Sequence, residues 1–414
     1  MLSPNRNLSF SEVKLLYIGS VLPDRPEFHT NTFSRAGSMF QENLLTGLKT
    51  AGLLPSEIIS IRQIQSFPRG GIFYVGKEYT ELNNKMQVTL LPFLNITPVK
   101  QMAIGTLTLL HILLWGWRTR HARHRVVYTY NLTVPPGFFT LLGARLIGAK
   151  AFVSLNDINV PGQTVPNTFL NRFDFWLHKI LIPRFDGHVV VADSIMKDFA
   201  PQASFVRVEG GITSDLLSKT GVVAGEKELN GANFTIVSIG SLNETNGFNV
   251  LLQAFALLKD ADYCLKIAGA GPLEDEIRCA AKKDQRIKFY GIINFDEVLA
   301  LYKNADVLIN MRLTKDLNTD YFFPSKMMEY LVSGTPVITT CTGHVADEFS
   351  GLAYLLTDES ALGLANMISD VASLAPQSRI EMGKRARDYM QKYKTWDAQG
   401  RKVVNYIRDI LMPS

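Results

Sequence analysis

Several familiar signals are scarce or missing in this sequence. Of 414 residues only three are cysteine, Cys264, Cys279 and Cys341. They are odd in number and far apart, which excludes a disulfide framework and the close spacing of a zinc site, and fits a reducing cytoplasm. The formal net charge of +5 is too small for the basic stripe of a nucleic-acid binder. No Gly-x-x-x-x-Gly-Lys-Ser/Thr loop and no tight three-glycine loop occurs, so ordinary P-loop and dehydrogenase readings lose ground. Met1 to Ser11 is polar, and the apolar Val13 to Val21 that follows is too short for a signal peptide's core, so it reads as a strand. A spanning helix needs about 20 apolar residues. The most hydrophobic stretch, Met102 to Trp117, has sixteen residues without a charge, interrupted by His111, Gly105 and Gly116. It reads as a buried or interface-lying helix.

What is present is a globular α/β pattern. The length suits two domains of about 200 residues each, and 46% hydrophobic with 20% charged residues is enough for a sizeable core. Lys14 to Gly19 is a strand ending in glycine, and Phe33 to Leu48 carries Met39, Leu44, Leu45 and Leu48 at helical spacing. This places Ser34, Arg35, Ala36 and Gly37 near a cleft mouth. Strands follow at Val88–Leu91, Val126–Thr129, Lys150–Leu155 and His188–Ala192, with helices between them at Phe138–Leu146 and Asn167–Leu181. Such alternation predicts parallel strands joined by crossovers. Asn156 and Asp157 follow a strand end, where open parallel sheets place ligands; they equally suit the capping of a turn.

Glycines at 210, 211, 221, 225 and 231 mark a boundary in Glu209 to Asn233. The alternation then restarts with Phe234–Ile239, the Gly240 to Gly247 loop, helix Val250–Leu258, and strand Tyr263–Ala268 ending in Gly269-Ala270-Gly271-Pro272. We therefore expect an N-terminal domain over 1–208, a nucleotide-binding domain over 209–395, and a last helix within 396–414 that returns to the first domain.

Pro324-Ser325-Lys326-Met327-Met328-Glu329-Tyr330, followed by Ser333-Gly334-Thr335-Pro336-Val337-Ile338, resembles the donor-site signature of the retaining glycosyltransferase family 4, which includes sucrose synthases and many bacterial polysaccharide enzymes. Gly240-Ser241-Leu242, Gly269 to Pro272 and Asn304-Ala305-Asp306-Val307 agree in order and spacing, so the resemblance covers Gly240 to Thr340 well. It implies a GT-B fold: two facing Rossmann-like domains with an interdomain cleft.

The resemblance also implies roles. Glu329 matches the second of the family's paired glutamates, which holds the ribose hydroxyls; a carboxylate can accept from both. Ser325 and Lys326 open the same helix, where amides and an ammonium hold a diphosphate. Gly37, Gly240, Asn243, Gly269 and Phe323 complete the expected donor set. Three positions depart from the pattern. The first glutamate of the pair is replaced by Tyr321, with Asp316 and Asp320 as nearby carboxylates and Tyr321 to Phe323 as the expected sugar-facing wall. The arginine and lysine many relatives carry after the glycine loop are missing, and Arg312 is their expected replacement. Asn156-Asp157 stands where a histidine-aspartate pair is common, which weakens acid–base schemes more than positioning ones.

The implied activity is retaining transfer of a hexose or hexose derivative from a nucleotide diphosphate sugar, UDP-linked by preference, to a saccharide acceptor, by front-face substitution. Asn156, Asp157 and Lys326 are the candidate catalytic residues; no metal or further cofactor is implied. Arg118, Arg120, Arg123 and Arg125 directly follow the hydrophobic stretch. They form either a solvated turn or a patch for anionic lipid. With Trp115 and Trp117 at the interface, the second reading puts the chain on the cytoplasmic leaflet, working on a lipid-linked saccharide in surface polysaccharide or glycoconjugate synthesis. Alternatives are a noncatalytic nucleotide-sugar-binding subunit of a transferase complex, or a UDP-sugar epimerase.

Overall fold

The computed structural model describes residues 12–30, 32–97, 99–220, 233–259, 262–315 and 320–413. Met1 to Ser11, the glycines at 221, 225 and 231, and Asp316 lie outside them. By internal contacts the chain divides into unit 1, Met1–Gly210 with Trp396–Ser414, and unit 2, Gly211–Thr395.

Unit 1 begins with β1 (Val13–Gly19), α1 (Arg35–Thr50), β2 (Glu57–Ser60), β3 (Tyr74–Val75), β4 (Glu78–Glu81), β5 (Gln87–Leu90), β6 (Phe93–Leu94) and α2 (Val99–Arg118). It continues with β7 (His124–Tyr130), α3 (Pro136–Leu146), β8 (Lys150–Leu155), α4 (Phe169–Leu181), β9 (Gly187–Val190), α5 (Asp193–Phe199) and β10 (Phe205–Arg207). One sheet takes the order β10-β9-β8-β7-β1-β2-β5-β4. All its pairs are parallel except β4 with β5. Six of the seven β1 residues are buried, as a parallel strand covered on both faces requires. The segment between β2 and α2 departs from the sequence expectation. It holds the antiparallel edge strand β4 and the small β3–β6 pair, whose two- to four-residue strands carry too few apolar positions to show a period.

Unit 2 holds α6 (Ser214–Lys219), β11 (Phe234–Ser241), α7 (Phe248–Leu257), β12 (Tyr263–Ala270), α8 (Glu274–Lys283), β13 (Ile287–Phe289), α9 (Phe295–Lys303) and β14 (Val307–Asn310). Then come α10 (Ser325–Ser333), β15 (Val337–Thr340), α11 (Val345–Glu348), β16 (Tyr354–Leu356), α12 (Ala361–Ser373) and α13 (Pro376–Tyr393). The sheet order is β13-β12-β11-β14-β15-β16, parallel throughout. Two apolar clusters, one around Ile236, Phe255 and Leu265 and one around Val237, Tyr330 and Leu331, cover it.

The last helix, α14 (Trp396–Leu411), belongs to unit 1 and lies against α1. The helices meet at Gly47 and Gly400, where a Cβ on either would overlap the other helix's backbone. Leu44, Leu45 and Leu48 of α1 are fully buried in the core that Val403 and Ile407 of α14 share, each contributing about 1.5–3 kcal/mol.

Candidate functional site

Each unit carries a cavity at the carboxyl ends of its parallel strands, where the open α/β fold leaves room for a ligand. The cavity of unit 2 has a volume of about 330 Å3 and is walled by Gly240 and Ser241 at the end of β11, Asn310 to Arg312 at the end of β14, and Phe322 to Lys326 leading into α10. Tyr330 fixes that helix to the strand. Its hydroxyl donates to the Ile239 carbonyl at 3.0 Å and accepts from the Ile239 amide at 2.8 Å.

Arg312 is half-buried, and burial lowers its pKa from the ordinary arginine value. Its Nη1 donates to Asn246 Oδ1 at 3.0 Å, and its guanidinium lies 5.6 Å from the Phe322 ring centroid. Asn246 in turn donates to the Ser241 carbonyl at 2.8 Å. The guanidinium is thereby delivered to the glycine loop from a strand 66 residues away in sequence. On α10, Glu329 Oε2 accepts from Lys326 Nζ at 3.2 Å and from the Tyr302 hydroxyl at 3.4 Å. The other carboxylate oxygen has no such neighbour in these bonds, so the group retains acceptor capacity. Burial, with Tyr330 and Glu329 nearby, pushes the Tyr302 phenol far above its ordinary pKa, so it stays a donor.

Gly240, Arg312, Phe323, Ser325 and Lys326 therefore line one cavity. Other expected donor residues are placed differently. Tyr321 has its side chain buried at 6% exposure, so Phe322 and Phe323 supply the wall in its stead. Phe323 is stacked on His344 at 5.4 Å. Asn243 caps a turn, accepting from the Asn246 amide at 2.9 Å and the Thr245 hydroxyl at 2.8 Å. Gly269, with φ +135°, is needed because a Cβ there would overlap the Gly240 carbonyl oxygen. Both serve the loop's shape. Phe322 falls within the expected Tyr321 to Phe323 wall, whereas Asn246 was missed from sequence. Asn246 sits directly before Gly247 in the loop, which was its only signal.

In unit 1, Asn156 and Asp157 follow β8 and are held by Asn131. Asn131 Oδ1 accepts from the Asn156 amide at 2.8 Å and the Asp157 amide at 3.3 Å, while its Nδ2 donates to Asp157 Oδ2 at 3.0 Å. Asn131 has φ 50°, a left-handed conformation asparagine tolerates. Gly37 donates its amide to the Ser34 side chain at 3.1 Å, so that amide caps α1 and is not spare for a ligand.

Unit 1's own cavity, also about 330 Å3, is walled by Gly19 and Ser20 at the end of β1, Ile61 to Ile64 after β2, Thr129 to Asn131 at β7, and the starts of α2 and α3. The expected membrane-side residues lie at the other end of α2. Trp115 is a correction: it is 2% exposed and donates Nε1–H to Ser56 Oγ at 3.2 Å, so it is core and meets no membrane. Trp117 is 66% exposed with Arg120 stacked over it at 4.9 Å. Arg118 pairs with Glu57 at 3.0 Å, Arg123 with Glu12 at 3.2 Å, and Arg125 donates to the Gly116 carbonyl at 3.2 Å.

Residues 233–373 match the family model of glycosyl transferases group 1. An uncharacterized glycosyltransferase of Methanocaldococcus jannaschii is 25% identical over 180 residues, 41% of this chain and 43% of the relative, so less than half of that protein's length is spanned. Among solved structures, a glycosyltransferase from Rickettsia africae matches with a TM-score of 0.65 at 15% identity, covering 97% of this chain and 100% of its own. HepE of Anabaena, in complex with UDP, gives 0.63 at 13% identity over 96% and 100%. Sucrose-phosphate synthase from Thermosynechococcus elongatus gives 0.61 at 14% over 97% and 100%. At these identities the likeness carries the fold, and the family match adds the character of unit 2: the chain is a glycosyltransferase-like protein of GT-B fold.

Proposed function

We propose that this protein transfers a hexose or hexose derivative from a UDP-linked sugar, with retention, to a lipid-linked saccharide acceptor in surface polysaccharide or glycoconjugate synthesis. The observation that carries the reading is the meeting of Arg312, Ser325 and Lys326 on one cavity, with Glu329 one helical turn further along α10. HepE, with which the chain shares its fold, has been solved with UDP and with UDP-glucose.

In this reading Glu329 takes the two ribose hydroxyls, its carboxylate oriented by Lys326 and Tyr302. The Ser325 end of α10 and the two cations stabilise the charge that grows on the leaving diphosphate. The acceptor hydroxyl attacks from the face the diphosphate leaves, so the anomeric configuration is kept. Asp157, exposed and oriented by Asn131, is the carboxylate of unit 1 suited to position an acceptor hydroxyl. The purified protein, incubated with a panel of nucleotide sugars and membrane lipid extract, should transfer sugar from a UDP-linked donor. Donor binding without turnover would instead make it a noncatalytic subunit, and an epimerised donor would make it an epimerase.

The surface reading places the protein peripherally on the cytoplasmic face of a membrane. It is supported by the outer face of α2, where Met102, Leu110, Leu114 and Trp117 are 49–66% exposed at near-helical spacing, while Ile104, Ile112 and Trp115 face inward. A Leu110→Ser, Leu114→Ser double variant should leave the membrane fraction, and neutralising Arg118, Arg120, Arg123 and Arg125 should make binding less sensitive to salt. A bound fraction indifferent to both changes rejects this placement.

A further inference from the structure

The cavity of unit 1 has a chemistry that the donor reading does not use. Among its lining residues there is no carboxylate and there are two cations, Arg62 and Lys100. Arg62 is already neutralised: it pairs with Glu78 and lies over the Phe28 ring at 4.8 Å. Lys100, in the first turn of α2, is different. Its Nζ donates to the Ile64 carbonyl at 2.5 Å and lies 5.4 Å from the Phe93 ring centroid. No carboxylate among the described residues pairs with it.

A half-buried ammonium with one hydrogen bond and no counter-ion has two N–H donors to place and an unrelieved desolvation cost. Burial lowers its pKa from the ordinary lysine value, which an anion in the cavity would reverse. Around it stand neutral hydrogen-bonding groups, Ser20, Gln63, Gln101, Asn131 and Thr133. Asn131 is the residue that also holds Asp157, so the cavity and that carboxylate share one wall.

The neighbouring surface is apolar. Phe67 and Phe73, packed edge to face, are 42% and 51% exposed. Phe67 comes three residues after Ile64 of the cavity wall, its amide donating to the Asn95 carbonyl while Asn95 Nδ2 donates to the Gln65 carbonyl.

We propose that this cavity is the acceptor's anion site: it takes a phosphate or diphosphate ester, with Lys100 as the specificity-determining cation. The inference rests on the transferase reading for the word acceptor, and on unit 1 alone for the site. The exposed Phe67 and Phe73 suit the first isoprene units of a lipid diphosphate; a sugar phosphate presents the same anion without the tail.

The test is equilibrium binding to the full chain with UDP held at saturation, so that unit 2 is occupied. Farnesyl diphosphate stands for the lipid source and glucose 6-phosphate for the free one. The expected result is that farnesyl diphosphate binds, that Lys100→Gln weakens it roughly 10- to 100-fold, the worth of one charge-assisted hydrogen bond, and that Lys100→Arg restores most of the loss. Gln101→Glu, an exposed change on the same wall that leaves the Lys100–Ile64 bond in place, should weaken binding comparably by repulsion. Tighter binding of glucose 6-phosphate, with the same dependence on Lys100, keeps the anion site and assigns the free source. Equal binding of both probes to wild type, Lys100→Gln and Gln101→Glu, or no binding to wild type, overturns the proposal. Transfer assays are not needed for any of these outcomes, so Lys100-dependent binding in a protein that transfers no sugar would defeat the transferase reading and leave the site.

Discussion

The two cavities occupy the same place on two similar parallel sheets and have similar volumes, yet their charges are handled differently. In unit 2 both cations are held by side chains that also shape the site: Arg312 by Asn246 and Phe322, Lys326 by Glu329. In unit 1 one cation is cancelled by Glu78 and the other, Lys100, leans on a backbone carbonyl. The first arrangement is pre-organised and tolerates an empty site. The second leaves a charge whose partner has to come from outside. A site built to hold a constant donor can afford the former, whereas the latter makes binding depend on whether the incoming molecule carries an anion.

The comparison breaks most visibly through backbone shape. Gly269→Ala should cost unit 2 about 3 kcal/mol, because it adds strain at a positive φ to an overlap with the Gly240 carbonyl. Gly240→Ala meets nothing within 4 Å and should change stability by about 0.5 kcal/mol or less, while narrowing the cavity and weakening UDP binding. Urea unfolding and UDP titration of the pair separate loop shape from ligand contact; equal stability of the two would end that distinction. Next in size, Arg312→Gln should weaken UDP binding roughly 10- to 100-fold and leave farnesyl diphosphate binding unchanged. If both ligands respond alike, the two cavities are not independent sites. Smaller again, Tyr330→Phe removes the hydroxyl that satisfies both backbone groups of Ile239 and should cost about 1–2 kcal/mol in urea unfolding.

The difference also explains what could be read from the sequence. Ser325, Lys326 and Glu329 sit in one short helix start, so their grouping is visible as a string. The pairing of Arg312 with Asn246 is not, since only the sheet brings strand ends 66 residues apart together. The alternating core was readable because each of its strands is an apolar run, whereas β3, β4 and β6 are too short to carry such a run. For the same reason Lys100 passed unnoticed: a lysine opening a helix is ordinary until its burial is known. Trp115 departs from the interface position expected for it beside the exposed Trp117 for a simpler cause. Two residues apart on an α-helix they point about 200° apart, so one of them had to face the core.

The basic run after α2 gives the finest test, at the end of unit 1 opposite its cavity. Lys100 and Trp117 are separated along α2 by about 25 Å at 1.5 Å per residue, so the run and the cavity cannot serve one small ligand. Part of the run is structural: Glu57, at the start of β2, accepts from His111 at 2.5 Å and from Arg118 at 3.0 Å. Burial raises the Glu57 pKa, but the bonds and charges of His111 and Arg118 outweigh it and hold the carboxyl below its usual range. A carboxyl depressed on folding stabilises the native state above its unfolded pKa, and that contribution disappears as pH falls through the folded value. Glu57→Gln should therefore destabilise the protein by less than about 1 kcal/mol at pH 7, and the gap to wild type should close below about pH 4. Urea midpoints across that range measure it. A gap that stays constant with pH would mean that Glu57 acts through packing alone, and would release Arg118 from its structural role to the membrane-facing one.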